Sequence, residues 1–156
     1  MNAVTVLHVG DFKESFFRDA ESEYVRRIRP FCGYATVALR EECTHGENSE
    51  KLIIRALDKE AEQIRAHIPP RAFTVALCIE GTQYDSEEFA RLLYECERPV
   101  CFIIGSSFGL DPALKKQCDL RLSFSEMTFP HMLARVMLAE QVYRACMINS
   151  GRRYHK

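Results

Sequence analysis

The apolar positions of this chain fall into two alternating patterns. Short, nearly continuous apolar runs predict buried strands over residues 3–9, 34–39, 73–79, 100–104 and 119–124. Apolar residues at helical spacing predict helices over residues 14–29, 49–67, 86–97, 111–118 and 130–149. Strands that alternate with helices in this way favour a single α/β domain, residues 1–156, with a mostly parallel sheet and helices on both faces.

Residues that start and stop helices mark several of these boundaries. Pro30 ends the pattern of the first helix, because proline cannot continue a helix. Ser86 is expected to cap the third helix, with two glutamates in its first turn. Asp111 followed by Pro112 predicts the start of the fourth helix, with aspartate as the cap and proline at the first helical position.

Composition is that of an ordinary globular protein, with 47% hydrophobic and 28% charged residues. No apolar run approaches the roughly 20 residues that a membrane-spanning helix needs, so no membrane partner is expected. Residues 1–7 lack a basic segment and are typical of a first strand, not of a signal peptide. These observations predict a cytoplasmic protein.

Charge is unevenly distributed along the chain. The formal net charge of −1 argues against a general nucleic-acid binder. Residues 131–156 nevertheless carry a net charge of +4, which leaves −5 for the remainder. A basic end of this kind fits either a local phosphate-binding face or a helix C-terminus whose dipole favours cations.

The seven cysteines do not form a recognisable metal or redox motif. No two of them are closer than five positions, so a Cys-x-x-Cys pair is missing from the sequence. Several lie within predicted strands or helices, where cysteine acts as a small hydrophobic residue. We therefore expect reduced structural thiols and no metal.

The segment Gly105-Ser106-Ser107-Phe108-Gly109 follows the fourth strand and fits a Gly-x-Ser-x-Gly nucleophile elbow. Ser107, Asp119 and His131 could then form the triad of a serine esterase. The alternative is that the glycines let backbone amides approach a ligand. Neither Gly-x-Gly-x-x-Gly nor a phosphate-binding loop is present, which argues against a conventional dinucleotide or nucleoside-triphosphate site.

Two further segments combine chemistry suited to a nucleotide. Residues 123–131 interleave hydroxyl groups with Phe124, Met127 and Phe129, which suits an adenine nucleoside as well as a plain strand-to-helix connection. Residues 151–156 bring together two arginines, a tyrosine and a histidine, which can bind phosphate and stack a base, or form a frayed terminus. Glu140 and Arg144, four residues apart, form at least a surface ion pair.

The ordered set of motifs in the last third resembles a known family. The motifs are 102–105 (FIIG), 122–131 (LSFSEMTFPH), 140–145 (EQVYRA) and 154–156 (YHK), together with the turn 10–13 (GDFK). They are similar to those of the RlmH family, bacterial methyltransferases of the SPOUT class that modify 23S ribosomal RNA. The similarity spans the whole chain and is densest from residue 100 onward.

This resemblance implies a fold and a cofactor that the residue patterns alone do not give. SPOUT proteins tie their C-terminal segment into a deep trefoil knot, an exception to the rule that chains avoid knots. They are homodimers that bind S-adenosylmethionine in the knot. Matching positions imply a cofactor site made by Leu77, Gly105, Phe124, Ser125, Glu126, Met127, Thr128 and Phe129.

The resemblance also implies methyl transfer to N3 of a pseudouridine in a 23S rRNA stem-loop, on the assembled 70S ribosome. Glu140, Arg144, Tyr154 and His155 match the family's catalytic positions, with His155 as the expected proton acceptor. Ser106 replaces the second of two glycines usual in the family, and it would be strained if that position needed a positive φ. A ribosome-binding module without catalysis is the remaining alternative.

Overall fold

The structure of the chain is a computed structural model that describes residues 3–42, 44 and 49–155. Five strands alternate with five helices, as the apolar pattern predicts. The elements are β1 (Ala3–Val9), α1 (Ser15–Ile28), β2 (Gly33–Leu39), α2 (Glu50–His67), β3 (Phe73–Gln83), α3 (Ser86–Glu95), β4 (Val100–Ile104), α4 (Pro112–Gln117), β5 (Leu120–Ser123) and α5 (His131–Asn149).

The strands form a sheet in the order β2-β1-β4-β3-β5, and every pairing is parallel. This confirms the predicted α/β class. Parallel strands present their carboxyl ends at the same edge of the sheet, and ligands bind there in open α/β folds. The segments that follow β3, β4 and β5 therefore converge.

Helices cover both faces of the sheet, as expected. On one face Phe102 of β4 packs with residues of α1, α3 and α5, including Leu93 and Leu138. On the other face Ile103 of the same strand packs with α2 and α4 through Ile64 and Leu114. Full burial of each such side chain contributes about 1.5–3 kcal/mol, so both faces stabilise the sheet.

Strand β3 is longer than predicted and contains a wide irregularity. Leu77 and Thr82 both pair with Leu122 of β5, so residues 78–81 bulge out of the ladder. At Gly81 a Cβ atom would lie 2.6 Å from the backbone carbon of Leu122. Glycine is therefore required where the strand returns to pairing, and the bulge opens one side of the sheet edge.

Two local predictions are wrong for identifiable reasons. Asp85, not Ser86, caps α3, because its carboxylate accepts a hydrogen bond from the backbone N–H of Glu88 at 2.7 Å. The hydroxyl of Ser86 instead donates to Gln141 of α5. Asp119 precedes β5 and does not begin it, because its carboxylate accepts hydrogen bonds from Thr74.

No helix among the described residues is long and apolar enough to cross a membrane. The fourth helix begins as predicted, with Asp111 accepting from the backbone N–H of Leu114 and Pro112 at the first helical position. The trefoil knot stays a prediction, since strand order and pairing do not define how the chain is threaded.

Candidate functional site

A cleft of about 770 Å³ lies at the carboxyl ends of β3, β4 and β5. Its walls come from the bulge of β3, the turn after β4, helix α4 and the connection from β5 to α5. The principal lining residues are Leu77, Cys78, Glu80, Gly105, Ser106, Ser107, Phe108, Lys115, Phe124, Ser125, Met127, Thr128, Phe129 and His131.

The turn after β4 brings backbone close to the cleft. At Gly105 a Cβ atom would lie only 2.1 Å from the carbonyl oxygen of Gly109, so no other residue fits without moving the turn. Gly109 donates its backbone N–H to the carbonyl of Ser106 at 2.9 Å and has a φ of +86°. The two glycines thus have the backbone role that their spacing suggests.

The backbone of Ser106 is not strained, because its φ is not positive. Its side chain is 5% exposed, and its hydroxyl donates to a carboxylate oxygen of Glu60 at 3.0 Å. Glu60, on α2, is 2% exposed and also accepts from the backbone N–H of Glu42. Burial raises the pKa of the Glu60 carboxyl. The hydrogen bond from Ser106 to Glu60 therefore anchors the turn after β4 to helix α2.

The connection from β5 to α5 forms the opposite wall of the cleft. The hydroxyl of Ser123 donates to the carbonyl of Ser125, and the hydroxyl of Ser125 accepts from the backbone N–H of Met127. These bonds hold a local turn and direct Met127 outward, where it is 70% exposed beside the cleft. Glu126 is exposed and lies outside the lining.

Ionisable groups at the cleft are largely neutralised. Lys115 and Glu80 form an ion pair, which lowers the pKa of the Glu80 carboxyl. Burial lowers the pKa of His131 and raises the pKa of the Cys78 thiol. A thiol with a raised pKa is a poor nucleophile, so Cys78 acts as apolar lining.

The four residues predicted as catalytic come together in a hydrogen-bonded group, called the tail quartet below. Its members are Glu140, Arg144, Tyr154 and His155. One oxygen of Glu140 accepts from the Arg144 guanidinium at 2.5 Å and from the Tyr154 hydroxyl at 3.1 Å. The guanidinium lies 4.8 Å from the centre of the Tyr154 ring and 3.4 Å from Nδ1 of His155.

Burial and the carboxylate of Glu140 raise the pKa of Tyr154 to about 12. The phenol therefore stays protonated near neutral pH and acts as a hydrogen-bond donor, not as a base. Nε2 of His155 lies 3.8 Å from a carboxylate oxygen of Glu87 on α3. Because guanidinium can only donate, Nδ1 of His155 serves as the acceptor in the contact with Arg144.

Within one chain, the cleft and the tail quartet are separate. Ala134, in the first turn of α5, lines the cleft, and no member of the quartet among the described residues does so. Ala134 and Arg144 are ten residues apart on the helix, about 15 Å at 1.5 Å per residue. The two predicted groups of site residues thus lie at different ends of the same helix.

The esterase interpretation is wrong because its triad does not assemble. The hydroxyl of Ser107 donates to a carboxylate oxygen of Glu41 at 3.4 Å, and among the described residues it makes no hydrogen bond to His131. Asp119 pairs with Arg98 at 2.9 Å and binds Thr74 near the amino end of β3, whereas His131 is in the cleft at the carboxyl end. The carboxylate is therefore at the opposite edge of the sheet.

Comparison with known proteins identifies the family. A family described as "Predicted SPOUT methyltransferase" matches residues 1–155. The chain belongs to the SPOUT methyltransferase family. Full-length relatives include proteins named ribosomal RNA large subunit methyltransferase H from Bifidobacterium adolescentis, 44% identical over 98% of this chain and 99% of that protein, and from Streptococcus sanguinis, 40% identical over the same shares.

A solved structure shares the fold of this SPOUT methyltransferase. It is a probable methylase family protein from Haemophilus influenzae Rd KW20, with a TM-score of 0.54 over 99% of this chain and 70% of that one, at 10% identity. The membership confirms an enzyme that transfers methyl groups and therefore needs a methyl donor. Among the described residues, no group of three potential ligands is arranged to hold a metal ion.

Sequence reasoning missed several cleft residues of this SPOUT methyltransferase. No sequence motif marks three residues that line the cleft: Cys78 and Glu80 of the bulge, and Lys115 of α4. Gly81 was the available signal, since a glycine within a strand pattern often marks a bulge. His131 was predicted as a triad member and as the last residue of the 122–131 motif, but not as part of the cofactor site, although it faces the cleft.

Proposed function

We propose that this SPOUT methyltransferase transfers a methyl group from S-adenosylmethionine to N3 of a pseudouridine in a 23S rRNA stem-loop of the assembled 70S ribosome. The observation that carries the proposal is the tail quartet, in which the matching catalytic residues are already in contact. The relatives named ribosomal RNA large subunit methyltransferase H support the substrate class. A ribosomal substrate implies a cytoplasmic enzyme.

The cleft fits S-adenosylmethionine. Its volume of about 770 Å³ lies within the roughly 300–1,000 Å³ usual for small-molecule sites. Backbone groups of the three loops would hydrogen-bond the adenine, and apolar side chains would enclose it. The proposed holders are Leu77, Gly105, Phe124, Ser125, Met127, Thr128 and Phe129. Glu126, whose side chain is exposed, would take part only through its backbone.

When bound, S-adenosylmethionine supplies an electrophilic methyl group on a sulfonium. The protein then has to align the target nitrogen and remove its imide proton, because N3 is a weak acid at neutral pH. His155 is the proposed proton acceptor, and Tyr154 contacts the flipped-out nucleotide. Arg144 stabilises the developing imide anion or a phosphate, and Glu140 holds the guanidinium in place.

We assign the active form to a homodimer. Helix α5 carries apolar residues on all sides, and its outer residues Leu133, Val136 and Met137 remain half-buried. A helix that is apolar all round is normally enclosed by protein, which supports a second copy against this face. The distance of about 15 Å along α5 further supports a composite site, in which the tail of one subunit completes the cleft of the other.

The direct test is methyl transfer from tritiated S-adenosylmethionine to ribosomes that lack the modification. Assembled 70S particles and free 50S subunits are compared at equal concentration. Label in 23S RNA from 70S particles alone supports the proposal. Label in neither particle, with no cofactor binding by calorimetry, refutes it.

A mixed-dimer assay tests the composite site. One subunit lacks residues 151–156, and the other carries a substitution at Gly105 that blocks the cleft. Each homodimer should be inactive, and mixing should restore activity, because one cleft and one tail then remain intact across the same interface. Activity that stays absent after mixing would place cleft and tail of the same subunit in one site.

A further inference from the structure

The C-terminal end of α1 and the C-terminal tail together form a surface rich in arginine. Its members, called the arginine face here, are Arg26, Arg27, Arg29, Arg152 and Arg153, and all five are exposed. They come from two segments more than a hundred residues apart in sequence. The fold, not the local sequence, therefore creates this concentration of charge.

Aromatic contacts bring the two segments together beside the tail quartet. The guanidinium of Arg152 lies 5.2 Å from the centre of the Phe31 ring. That of Arg27 lies 5.8 Å from the ring of Tyr143, which in turn packs edge-on against Tyr154 with 4.8 Å between ring centres. The arginine face is thus continuous with the residue proposed to contact the target nucleotide.

The charge of this face is poorly compensated. Among the described residues, Arg26 and Arg27 share one carboxylate partner, Glu23. Within the described part of the chain, no ion pair involves Arg29, Arg152 or Arg153. The face with Glu23 carries a net charge of +4 on a chain whose formal charge is −1.

The helix dipole does not account for this charge. Arg26 and Arg27 in the last turn of α1 already supply the cations that a helix C-terminus favours. A second copy of the chain is also a poor occupant, since an isologous contact would set this face against itself and bring like charges together. Exposed guanidinium groups next to aromatic rings are instead suited to phosphate oxygens and stacked bases.

We propose that the arginine face binds the phosphate backbone of the RNA that carries the target nucleotide. This inference rests on the proposed function and adds a docking surface to it. Phosphate contacts fix the register of an RNA without reading its sequence. Here they would set the stem-loop against the tail, so that the flipped nucleotide meets Tyr154 and His155.

The test uses the double variant Arg29→Gln/Arg153→Gln in the full-length protein. Neither side chain has an ion-pair partner among the residues described, so the fold should be unaffected. The control is Lys51→Gln/Arg55→Gln, which removes the same charge from exposed positions of α2 on the opposite face of the sheet. Binding to unmodified 70S ribosomes by co-sedimentation and kcat/KM for methyl transfer are measured between about 50 and 200 mM salt.

The double variant should bind more weakly, with a plot of log affinity against log salt that is shallower by about 1 for each lost phosphate contact. Saturating kcat and cofactor affinity should match the wild type, because these arginines are outside the cleft and the quartet. The control variant should keep the wild-type slope. A wild-type slope in the double variant overturns the inference and leaves the proposed function intact.

Two further outcomes separate the inference from the proposed function. Salt-dependent binding that the double variant loses, without methyl transfer by any form, would support the docking surface and refute the reaction. Salt-dependent binding to phosphatidylglycerol vesicles, with no binding to ribosomes, would assign the face to a membrane and overturn the inference.

Discussion

The cleft and the tail quartet differ in how far their polar groups are already satisfied. The cleft is a concave space lined by apolar side chains and turns, and hydrogen bonds from Ser106 to α2 and within the β5–α5 connection fix its walls. In the quartet, Glu140 holds both Arg144 and Tyr154, and Arg144 also contacts His155. One region is open to a ligand, whereas the other is closed upon itself.

This difference indicates two modes of use. A preformed cleft can take up a cofactor with little rearrangement, which keeps the cost of binding low. In the proposed reaction the quartet exchanges internal contacts for contacts with substrate, since Nδ1 of His155 already accepts from Arg144 and is free to take a proton only once that contact opens. RNA binding would then complete the catalytic arrangement, and the common support of both regions is helix α5.

The largest effect is expected from breaking the buried ion pair between Arg135 and Glu21, which holds helix α5 to helix α1. Arg135, 4% exposed, makes two hydrogen bonds to the carboxylate of Glu21, which is 7% exposed, at 3.1 and 2.8 Å. Arg135→Met leaves a buried carboxylate without its partner and should cost about 3–5 kcal/mol of unfolding free energy. Chemical denaturation at a fixed protein concentration measures this loss of unfolding free energy.

The matched control removes both charges. Glu21→Leu combined with Arg135→Met should recover much of the lost stability, because no uncompensated charge then remains buried. Recovery of stability without recovery of activity would indicate that the pair also positions α5 for catalysis. A double variant no more stable than the single one would contradict the ion-pair explanation.

Removing a charge from the quartet should affect activity alone. Arg144→Ala should lower kcat by about 10²–10³-fold if the guanidinium stabilises developing charge, as losing one such donor does elsewhere. Cofactor affinity should not change, because Arg144 lies outside the cleft lining. Arg55→Ala on α2 is the control. An equal loss of kcat in both variants would show that Arg144 has no specific role in the reaction.

Filling the turn after β4 should affect the cleft alone. Gly105→Ala would place a methyl group 2.1 Å from a backbone oxygen, so the turn must move. We expect a stability loss of about 1–3 kcal/mol and a large loss of cofactor binding by calorimetry. Gly109→Ala is the control, since its Cβ meets nothing within 4 Å and only its positive φ costs about 1 kcal/mol.

The sequence predicted the architecture better than the local geometry of the site. Strands β1 and β4 were predicted with the bounds that the structure has, because continuous apolar runs mark strands buried on both faces. The bulge at 78–81 could not be predicted in detail, since it depends on β5 pairing with β3 on both sides of it. Long-range pairing of this kind leaves little trace in local composition.

The grouping of the site residues came from the family resemblance, not from residue spacing. Spacing alone gave Glu140 and Arg144 as an ion pair on one helix face, which the structure has at 2.5 Å. It could not bring Tyr154 and His155 to the same carboxylate, because a terminal segment has no periodicity to fix its path. It also suggested Ser107 as a nucleophile, where backbone geometry was the real constraint.

The smallest expected effect distinguishes a structural histidine from a functional one. Burial, aided by the charge of Arg135, lowers the pKa of His8 to about 4 from an ordinary value near 6.5. Unfolded chains therefore bind a proton between pH 6.5 and 4 that the folded protein does not, so stability falls as the pH falls through this window. The loss should reach about 1 kcal/mol by pH 5.5.

Denaturation at pH 7 and pH 5.5 measures this effect. His8→Asn should flatten the dependence of stability on pH, and the slope that remains belongs in part to His131, whose pKa burial also lowers. His155→Ala should instead abolish the pH dependence of kcat that a proton acceptor produces. A different result, in which His155→Ala changes stability and leaves the pH dependence of kcat intact, would contradict the catalytic role. The quartet would then only hold the tail in place, and it would differ from the cleft in structure but not in catalysis.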